Sequence, residues 1–141
     1  MNIEVKLASI DVFRPIGTYD DEISAAEIIA ALSYFPDNSV IDMNIHSPGG
    51  SVFEAISAYD CIQAEKAKRG ITLNTYIYGI AASAATILSA AGDTSYIGAN
   101  SSYLIHNPYT PDAGTDCEMC AQVRDILINI YKSKVGDNLT D

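Results

Sequence analysis

Three short segments of this 141-residue sequence contain residue types that together could cleave an acyl bond. The first is Ser47-Pro48-Gly49-Gly50-Ser51, in which two glycines let a ligand approach the backbone where a helix is expected to begin. The N–H groups and dipole of a helix N-terminus favour negative charge, so this segment is a candidate oxyanion site with Gly50 as donor. The same residues also suit a plain strand-to-helix turn in which glycine supplies the dihedral angles.

The second segment, Tyr78 to Ala85, places one hydroxyl, that of Ser83, among small residues where a strand is expected to turn into a helix. Such a turn exposes the serine oxygen and leaves the N–H of Ala84 free to stabilise a tetrahedral intermediate, as in a nucleophile elbow, although the G-x-S-x-G pattern is absent. The alternative is a small-residue helix packed closely on the sheet, with Ser83 bonded to a backbone carbonyl.

The third segment is His106, which ends an apolar run directly before Asn107-Pro108. A neutral imidazole is the usual base that takes a proton from a serine hydroxyl and returns it to a leaving amine. Catalysis would therefore require Ser83 beside His106. A histidine at the end of a strand can also be purely structural, and that is the interpretation for His46, which precedes Ser47.

Alternating strands and helices are expected to position these segments. Apolar and β-branched runs predict an opening strand, a buried strand and three later ones, at residues 3–12, 40–45, 72–78, 94–97 and 102–105. Gly79 is expected to end the third of these strands. Repeated strand-to-helix units predict a mainly parallel, layered α/β domain.

Helix starts are marked by three capping-box pairs, Ser24 with Glu27, Ser51 with Glu54, and Thr115 with Glu118. They predict helices at about residues 24–34, from 51 to about 68 with Gly70 as the stop, and over about twenty residues from 115. A further helix is expected within the small-residue stretch 80–91, closed by Gly92.

Composition limits the partners of the chain. Its length suits one globular domain, and a net charge of −10 with only 8 Lys and Arg residues argues against nucleic-acid binding, so peptide substrates or protein partners fit better. No apolar stretch is long enough for a membrane span. The first residues lack the features of a secretory signal and the three cysteines are odd in number, so we expect a cytosolic protein in a reducing compartment.

Taken together, the segments Ser47-Pro48-Gly49-Gly50, Gly79 to Ala84 and Leu104-Ile105-His106-Asn107-Pro108 resemble motifs of the Clp protease family of serine peptidases. The resemblance extends from about residue 3 to residue 135, and the wording around His106 is most similar to relatives that tailed phages encode for head maturation. Each motif is weak alone, but their order and spacing together are specific.

The resemblance implies a crotonase-like layered β/α fold built as a repeated ββα spiral, and peptide hydrolysis through an acyl-enzyme without a metal or cofactor. It implies Ser83 as nucleophile, His106 as base, and Gly50 and Ala84 as oxyanion donors. By analogy, Gly49 and Ser51 would bind substrate at a backbone edge. Self-assembly into a homo-oligomeric ring is implied, with either an ATPase unfoldase or phage capsid and scaffold proteins as partners.

One departure from the family concerns the acid that orients the histidine. In the family it comes from a segment well beyond the helix that corresponds here to residues 115–135. We therefore expect residues 1–141 to be one peptidase domain without its C-terminal segment. Asp137 and Asp141 are the nearest carboxylates in sequence, but no motif supports either.

Other interpretations remain open. The chain could be an inactive scaffold or assembly subunit of the same fold, or an acyl-CoA enzyme that uses the oxyanion site without a serine nucleophile. Cys117 and Cys120 form a C-x-x-C pair, but a metal site needs about four ligands and no second pair lies nearby, so packing or surface thiols are expected.

Overall fold

The computed structural model describes residues 9–136, which form a parallel sheet and four helices. In chain order the elements are β1 (Ser9–Val12), α1 (Ala25–Ser33), β2 (Val40–Ser47), α2 (Val52–Arg69), β3 (Thr72–Ala82), α3 (Ala84–Ala90), β4 (Thr94–Ile97), β5 (Ser102–Leu104) and α4 (Glu118–Val135). The opening strand is thus present from Ser9 onwards, and the part of it expected at residues 3–8 lies outside the described residues.

The five strands pair in parallel throughout. Their order is β1-β2-β3-β4, and β5 pairs with the last residues of β3, beyond the part that pairs with β4. Each parallel step requires a crossover, which the helices supply. The prediction of a layered, mainly parallel α/β architecture is confirmed.

One face of the sheet is the core face. Side chains from β1, β2 and β3 alternate, and those on this face pack with α1, α2 and α3; the largest fully buried ones include Ile28, Leu32, Ile41, Met43, Ile45, Ile62, Leu73, Ile87 and Leu88. The other face is polar and aromatic: Asn44 donates to Asp11 at 2.8 Å, and Tyr76 stacks on Tyr96 at 4.7 Å between ring centroids. The expectation of a buried strand at 40–45 therefore holds for one of its faces only.

The capping predictions had three different outcomes. Ser24 caps α1 with both bonds of the box in place, as predicted. Ser51 caps α2, but the Glu54 carboxylate accepts from the N–H of Ala25 at 2.7 Å, so it does not return to its own helix start. The Thr115 prediction is wrong, because α4 begins after Cys117, whose sulfur accepts from the N–H of Cys120 at 3.0 Å.

Gly79 does not end β3 as predicted. The strand continues to Ala82, and the register with β2 shifts between Ile45 opposite Ile77 and Ser47 opposite Ala81. Gly79 has a φ of 74°, and a Cβ there would lie 2.7 Å from Nδ1 of His46. The glycine therefore allows an irregularity within the strand, and the helix expected at 80–91 starts only at Ala84.

Asp93 connects the end of α3 to the start of β3 and links folding stability to pH. Its carboxylate pairs with Lys66 at 2.8 Å and accepts from the N–H of Leu73 at 2.8 Å. Burial would raise the pKa of Asp93, but the bonds from Lys66 and Leu73 hold it below the usual range. Because the folded pKa is lowered, this stabilisation is complete above the unfolded pKa of about 3.9 and is lost as the pH falls through the folded value.

We expect Asp93→Asn to lower the free energy of unfolding at pH 7, and the difference from the natural chain to narrow at pH 3. Urea unfolding at both pH values measures this. Asp112→Asn is the control, because Asp112 is exposed and forms no ion pair within the described residues. A difference between Asp93→Asn and the natural chain that is equal at both pH values would contradict the prediction.

None of the helices in the described part of the chain combines the length and apolar character needed to cross a bilayer.

Candidate active site

Ser83 occupies a strained turn between β3 and α3. Its φ of 55° and ψ of −127° lie in a region that non-glycine residues rarely adopt. The N–H of Ser83 donates to the carbonyl of Leu104 at 2.9 Å, which fixes the turn against the end of β5. The side chain is half-buried, and its hydroxyl bonds no backbone carbonyl among the described residues. The small-residue helix of the alternative interpretation is present as the buried α3, but the carbonyl bond expected for a structural Ser83 is absent from this part of the chain. Strain of this kind is typical of nucleophile elbows.

Gly49 packs directly against this turn. It is buried with a φ of 97°, and a Cβ added there would meet the Ala82 carbonyl oxygen at 2.6 Å, Cβ of Ser83 at 2.7 Å and the Ala84 nitrogen at 3.0 Å. Only a residue without a side chain allows the two loops to approach this closely. The first and second sequence segments are therefore in contact, as their proposed joint role requires.

Ile16 forms hydrogen bonds with some backbone groups of residues 47–51, which we call the glycine loop. The N–H of Ile16 donates to the Gly49 carbonyl at 2.8 Å, and the N–H of Ser51 donates to the Ile16 carbonyl at 2.8 Å. In this parallel bridge the groups of Gly50, which lies between the two bonded residues, point away from Ile16. The N–H of Ala84 likewise has no acceptor among residues 9–136, because the first N–H groups of a helix have no intrahelical partner. Gly50 and Ala84 thus each offer an N–H donor, and both residues line the same cavity as Ser83.

His106 follows β5 by two residues and is exposed. Its Nδ1 lies 2.7 Å from the carbonyl oxygen of Asn107, and its ring is tilted against Tyr109 with centroids 5.6 Å apart. A carbonyl can only accept, so Nδ1 donates a proton to it, and Nε2 is the ring nitrogen left to accept one. This is the tautomer that a general base for a serine hydroxyl requires.

A single cavity of about 640 Å³ collects the predicted site residues. Ser83, His106, Gly49, Gly50, Ser51 and Ala84 all line it. Its remaining wall is mostly apolar: Pro15, Pro48, Val52, Phe53, Ile87, Pro108, Tyr109, Pro111, Leu127 and Tyr131. The space beside Ser83 therefore suits an extended chain with apolar side chains.

The described part of the chain lacks the hydrogen bond between Ser83 and His106 that catalysis would require. Within residues 9–136, no hydrogen bond joins the Ser83 hydroxyl to His106. Such bonds are often long in unliganded sites and tighten only with substrate. Asp137 and Asp141, the carboxylates nearest in sequence, lie outside the described residues.

The cysteine prediction needs correction. Cys117 and Cys120 are joined by a disulfide at the start of α4, whereas packing or surface thiols were expected, and Cys61 is an exposed free thiol. The geometry of one helical turn permits the bond, since the Cα atoms are 5.1 Å apart. Between Ser9 and Gly136, no three His, Cys, Asp or Glu side chains are grouped so that they could hold a metal ion.

Sequence reasoning missed the residues whose side chains hold the Ser83 turn through hydrogen bonds. Thr86 is fully buried and contacts both the Ser83 carbonyl and the hydroxyl of Tyr131. Tyr103 donates to the Thr86 carbonyl at 3.3 Å. The one local signal was a hydroxyl three residues after Ser83 in a helix of otherwise small or apolar residues.

Comparison with known proteins gives a consistent result. A model of the Clp protease family matches residues 6–139. ATP-dependent Clp protease proteolytic subunit 4 of Rhodococcus jostii is 34% identical over 117 residues, covering 79% of this chain and 58% of that protein. Proteolytic subunit 2 of Leifsonia xyli is 37% identical over 119 residues, covering 80% of this chain and 49% of that protein.

The fold is also that of a solved Clp protease subunit. A point mutant of ClpP1 from Listeria monocytogenes superposes with a TM-score of 0.72, at 19% identity, over 92% of this chain and 72% of the other. At this identity the similarity shows the ClpP-like fold alone. The chain spans between about half and three fifths of the length of the curated relatives described above.

Proposed function

Because the chain belongs to the Clp protease family, we propose that it carries the nucleophile, the base and the oxyanion donors of a serine endopeptidase. The observation that supports this most is the strained turn of Ser83, which faces a cavity shared with His106 and Gly50. A backbone conformation that costs about 1–3 kcal/mol persists only where the surrounding structure fixes it, and such residues cluster at functional sites.

The proposed reaction begins when Oγ of Ser83 attacks the scissile carbonyl and its proton passes to Nε2 of His106. The N–H groups of Gly50 and Ala84 stabilise the oxyanion of the tetrahedral intermediate. His106 then returns the proton to the departing amine, and water hydrolyses the acyl-enzyme by the same route. Gly49 and Ser51 line the cavity in which the extended peptide would lie. The backbone edge expected at these two residues is already used, because Ile16 bonds the Gly49 carbonyl and the Ser51 N–H, so their contact with substrate would be through the cavity wall.

The apolar wall of the cavity favours peptide over charged small-molecule substrates. We propose a protein substrate cut in a homo-oligomeric ring in the cytosol of a bacterial cell or phage-infected host. A phage prohead or capsid maturation protease would cut capsid or scaffold proteins without an unfoldase, whereas a Clp-type proteolytic subunit would receive substrate from an ATPase. The curated relatives are described as ATP-dependent, which supports the second setting.

Fluorophosphonate labelling of the longest natural form of this protein tests the proposal, because only an activated serine reacts with the probe. We expect one labelled peptide, containing Ser83, and no labelling of Ser83→Ala. Ser101→Ala is the matched control, since Ser101 lies directly before β5 and its hydroxyl is bonded to backbone groups of Ile77 and Gly79.

A folded natural protein that assembles but does not react with the probe would contradict the proposal. That result would favour the second candidate function, an inactive scaffold or assembly subunit of the same fold. Labelling at a serine other than Ser83 would also overturn the assignment of the nucleophile.

A further inference from the structure

A buried chain of hydroxyls connects α4 to the turn that holds Ser83. Oγ1 of Thr86 lies 2.6 Å from the Ser83 carbonyl oxygen and 2.6 Å from the hydroxyl of Tyr131. Thr86 is 0% exposed and Tyr131 is 8% exposed. These contacts are shielded from water, so each one has more influence on local geometry than a surface hydrogen bond would have.

The direction of these hydrogen bonds is determined by the groups involved. The Ser83 carbonyl can only accept, so the hydroxyl of Thr86 must donate to it. Thr86 then has no second proton, and Tyr131 must donate to Thr86. The pKa of Tyr131 is raised by burial, so its phenol keeps the proton that this chain needs.

The Ser83 carbonyl receives a second bond from the backbone N–H of Thr86 at 3.0 Å. This carbonyl belongs to the same planar peptide group as the N–H of Ala84, and in a trans peptide the two point in opposite directions. Fixing the carbonyl from below therefore fixes the direction of the Ala84 N–H, which starts α3 at the cavity.

We propose that Thr86 and Tyr131 are positioning residues that hold the Ser83–Ala84 peptide so that the Ala84 N–H points to the oxyanion. The inference rests on the proposed peptidase function and extends it to residues that do not touch the reacting atoms. The strained φ of Ser83 makes such support necessary, since a turn of this kind relaxes unless neighbouring residues hold it.

The test compares Thr86→Val, which removes the hydroxyl at nearly constant shape, with Thr86→Ser, which keeps it, and with Tyr131→Phe. Saturating fluorophosphonate kinetics separate the maximal labelling rate from the half-saturating probe concentration. We expect Thr86→Val to lower the maximal rate about tenfold and Tyr131→Phe about threefold, with little change in the half-saturating concentration. Thr86→Ser should stay within about twofold of the natural chain.

Tyr59→Phe is the matched control. The Tyr59 hydroxyl also contacts α4, through Ser133 at 3.4 Å, but this contact does not lead to Ser83. It should leave labelling unchanged. If the natural protein is labelled at Ser83 and Thr86→Val and Tyr131→Phe react at its rate, the positioning role is overturned.

Amide exchange distinguishes failure of this inference from failure of the peptidase assignment. If the natural protein is not labelled at all, the peptidase proposal fails, but the exchange rate of the Thr86 amide still reports on the turn. Exchange about threefold faster or more in Tyr131→Phe than in Tyr59→Phe supports the positioning role. Equal exchange in the two variants overturns it.

Discussion

Ser83→Ala should lower the rate of peptide hydrolysis about 10⁶-fold below that of the natural protein. We expect His106→Ala and the double variant to fall to the same level. The two residues are expected to act as one unit, since the serine attacks only while the histidine takes its proton. Once either group is removed, the other has no partner, so the second substitution costs nothing further. Cleavage of a fluorogenic peptide mixture, followed over days for the slow variants, measures the three losses.

The matched control for the base is His46→Ala. Both histidines are exposed and both place Nδ1 against a backbone carbonyl, at 2.8 Å from Tyr78 for His46 and at 2.7 Å from Asn107 for His106. Only His106 lines the cavity of Ser83. His46→Ala should therefore retain hydrolysis close to the natural rate. Losses that multiply in the double variant, or an equal loss in His46→Ala, would show that Ser83 and His106 do not form one catalytic unit.

The orientation of His106 bears on how much activity depends on a separate acid. In a serine triad the acid holds the histidine tautomer and stabilises the charged imidazolium. Here the Asn107 carbonyl performs the first of these tasks, because it accepts from Nδ1. A neutral carbonyl stabilises a positive ring less well than a carboxylate does, so it replaces only part of what an acid supplies.

Local sequence signals predicted those parts of the fold whose interactions are themselves local. The Ser24 capping box was correct because both of its bonds span three residues. The Ser51 box was half correct because the Glu54 carboxylate has a competing donor, the N–H of Ala25, which lies 29 residues away in the chain. No pattern within a short window contains that competitor.

Gly79 shows the same limit in a strand. A glycine after an apolar run is a sound turn signal. The strand continues because β2 resumes pairing at Ser47 opposite Ala81. The glycine is required for a different reason, since the ring of His46 occupies the space that a side chain at residue 79 would need. Tertiary pairing thus overrode a local stop signal, and the start of α3 moved from residue 80 to Ala84.

In the candidate site, too, some residues are indicated by local sequence and others only by contacts between distant parts of the chain. Ser83, His106 and the glycine loop were predicted as site residues from motif order, and in the structure they line one cavity. The hydroxyl chain below them was not recognisable, because Thr86 and Tyr131 are 45 residues apart and neither belongs to a motif. Residue types at short spacing can indicate a reaction, whereas the residues that hold its geometry are identified only when the packing is known.

Replacing Gly49 with alanine should lower the stability of the folded protein as well as the reaction rate at Ser83. The new Cβ would lie 2.6 Å from the Ala82 carbonyl oxygen and 2.7 Å from Cβ of Ser83, at a φ of 97° that alanine rarely adopts. The first contact is with a backbone atom and the second with a Cβ fixed to the backbone, so neither can move aside without moving the turn. We expect a loss of about 4 kcal/mol or more in the free energy of unfolding, together with loss of labelling at Ser83. Urea unfolding followed by circular dichroism measures the first effect.

Gly114→Ala separates the steric part of this cost from the backbone part. Gly114 also has a positive φ, 59°, but nothing lies within 4 Å of the position where its Cβ would be. That variant should lose only the cost of a left-handed alanine, about 1–2 kcal/mol, and should keep its labelling. If both variants lose the same stability, the close approach of Gly49 to the Ser83 turn carries no energetic weight. The glycine would then serve the dihedral angles of its own loop alone, which is the simpler interpretation that its sequence left open.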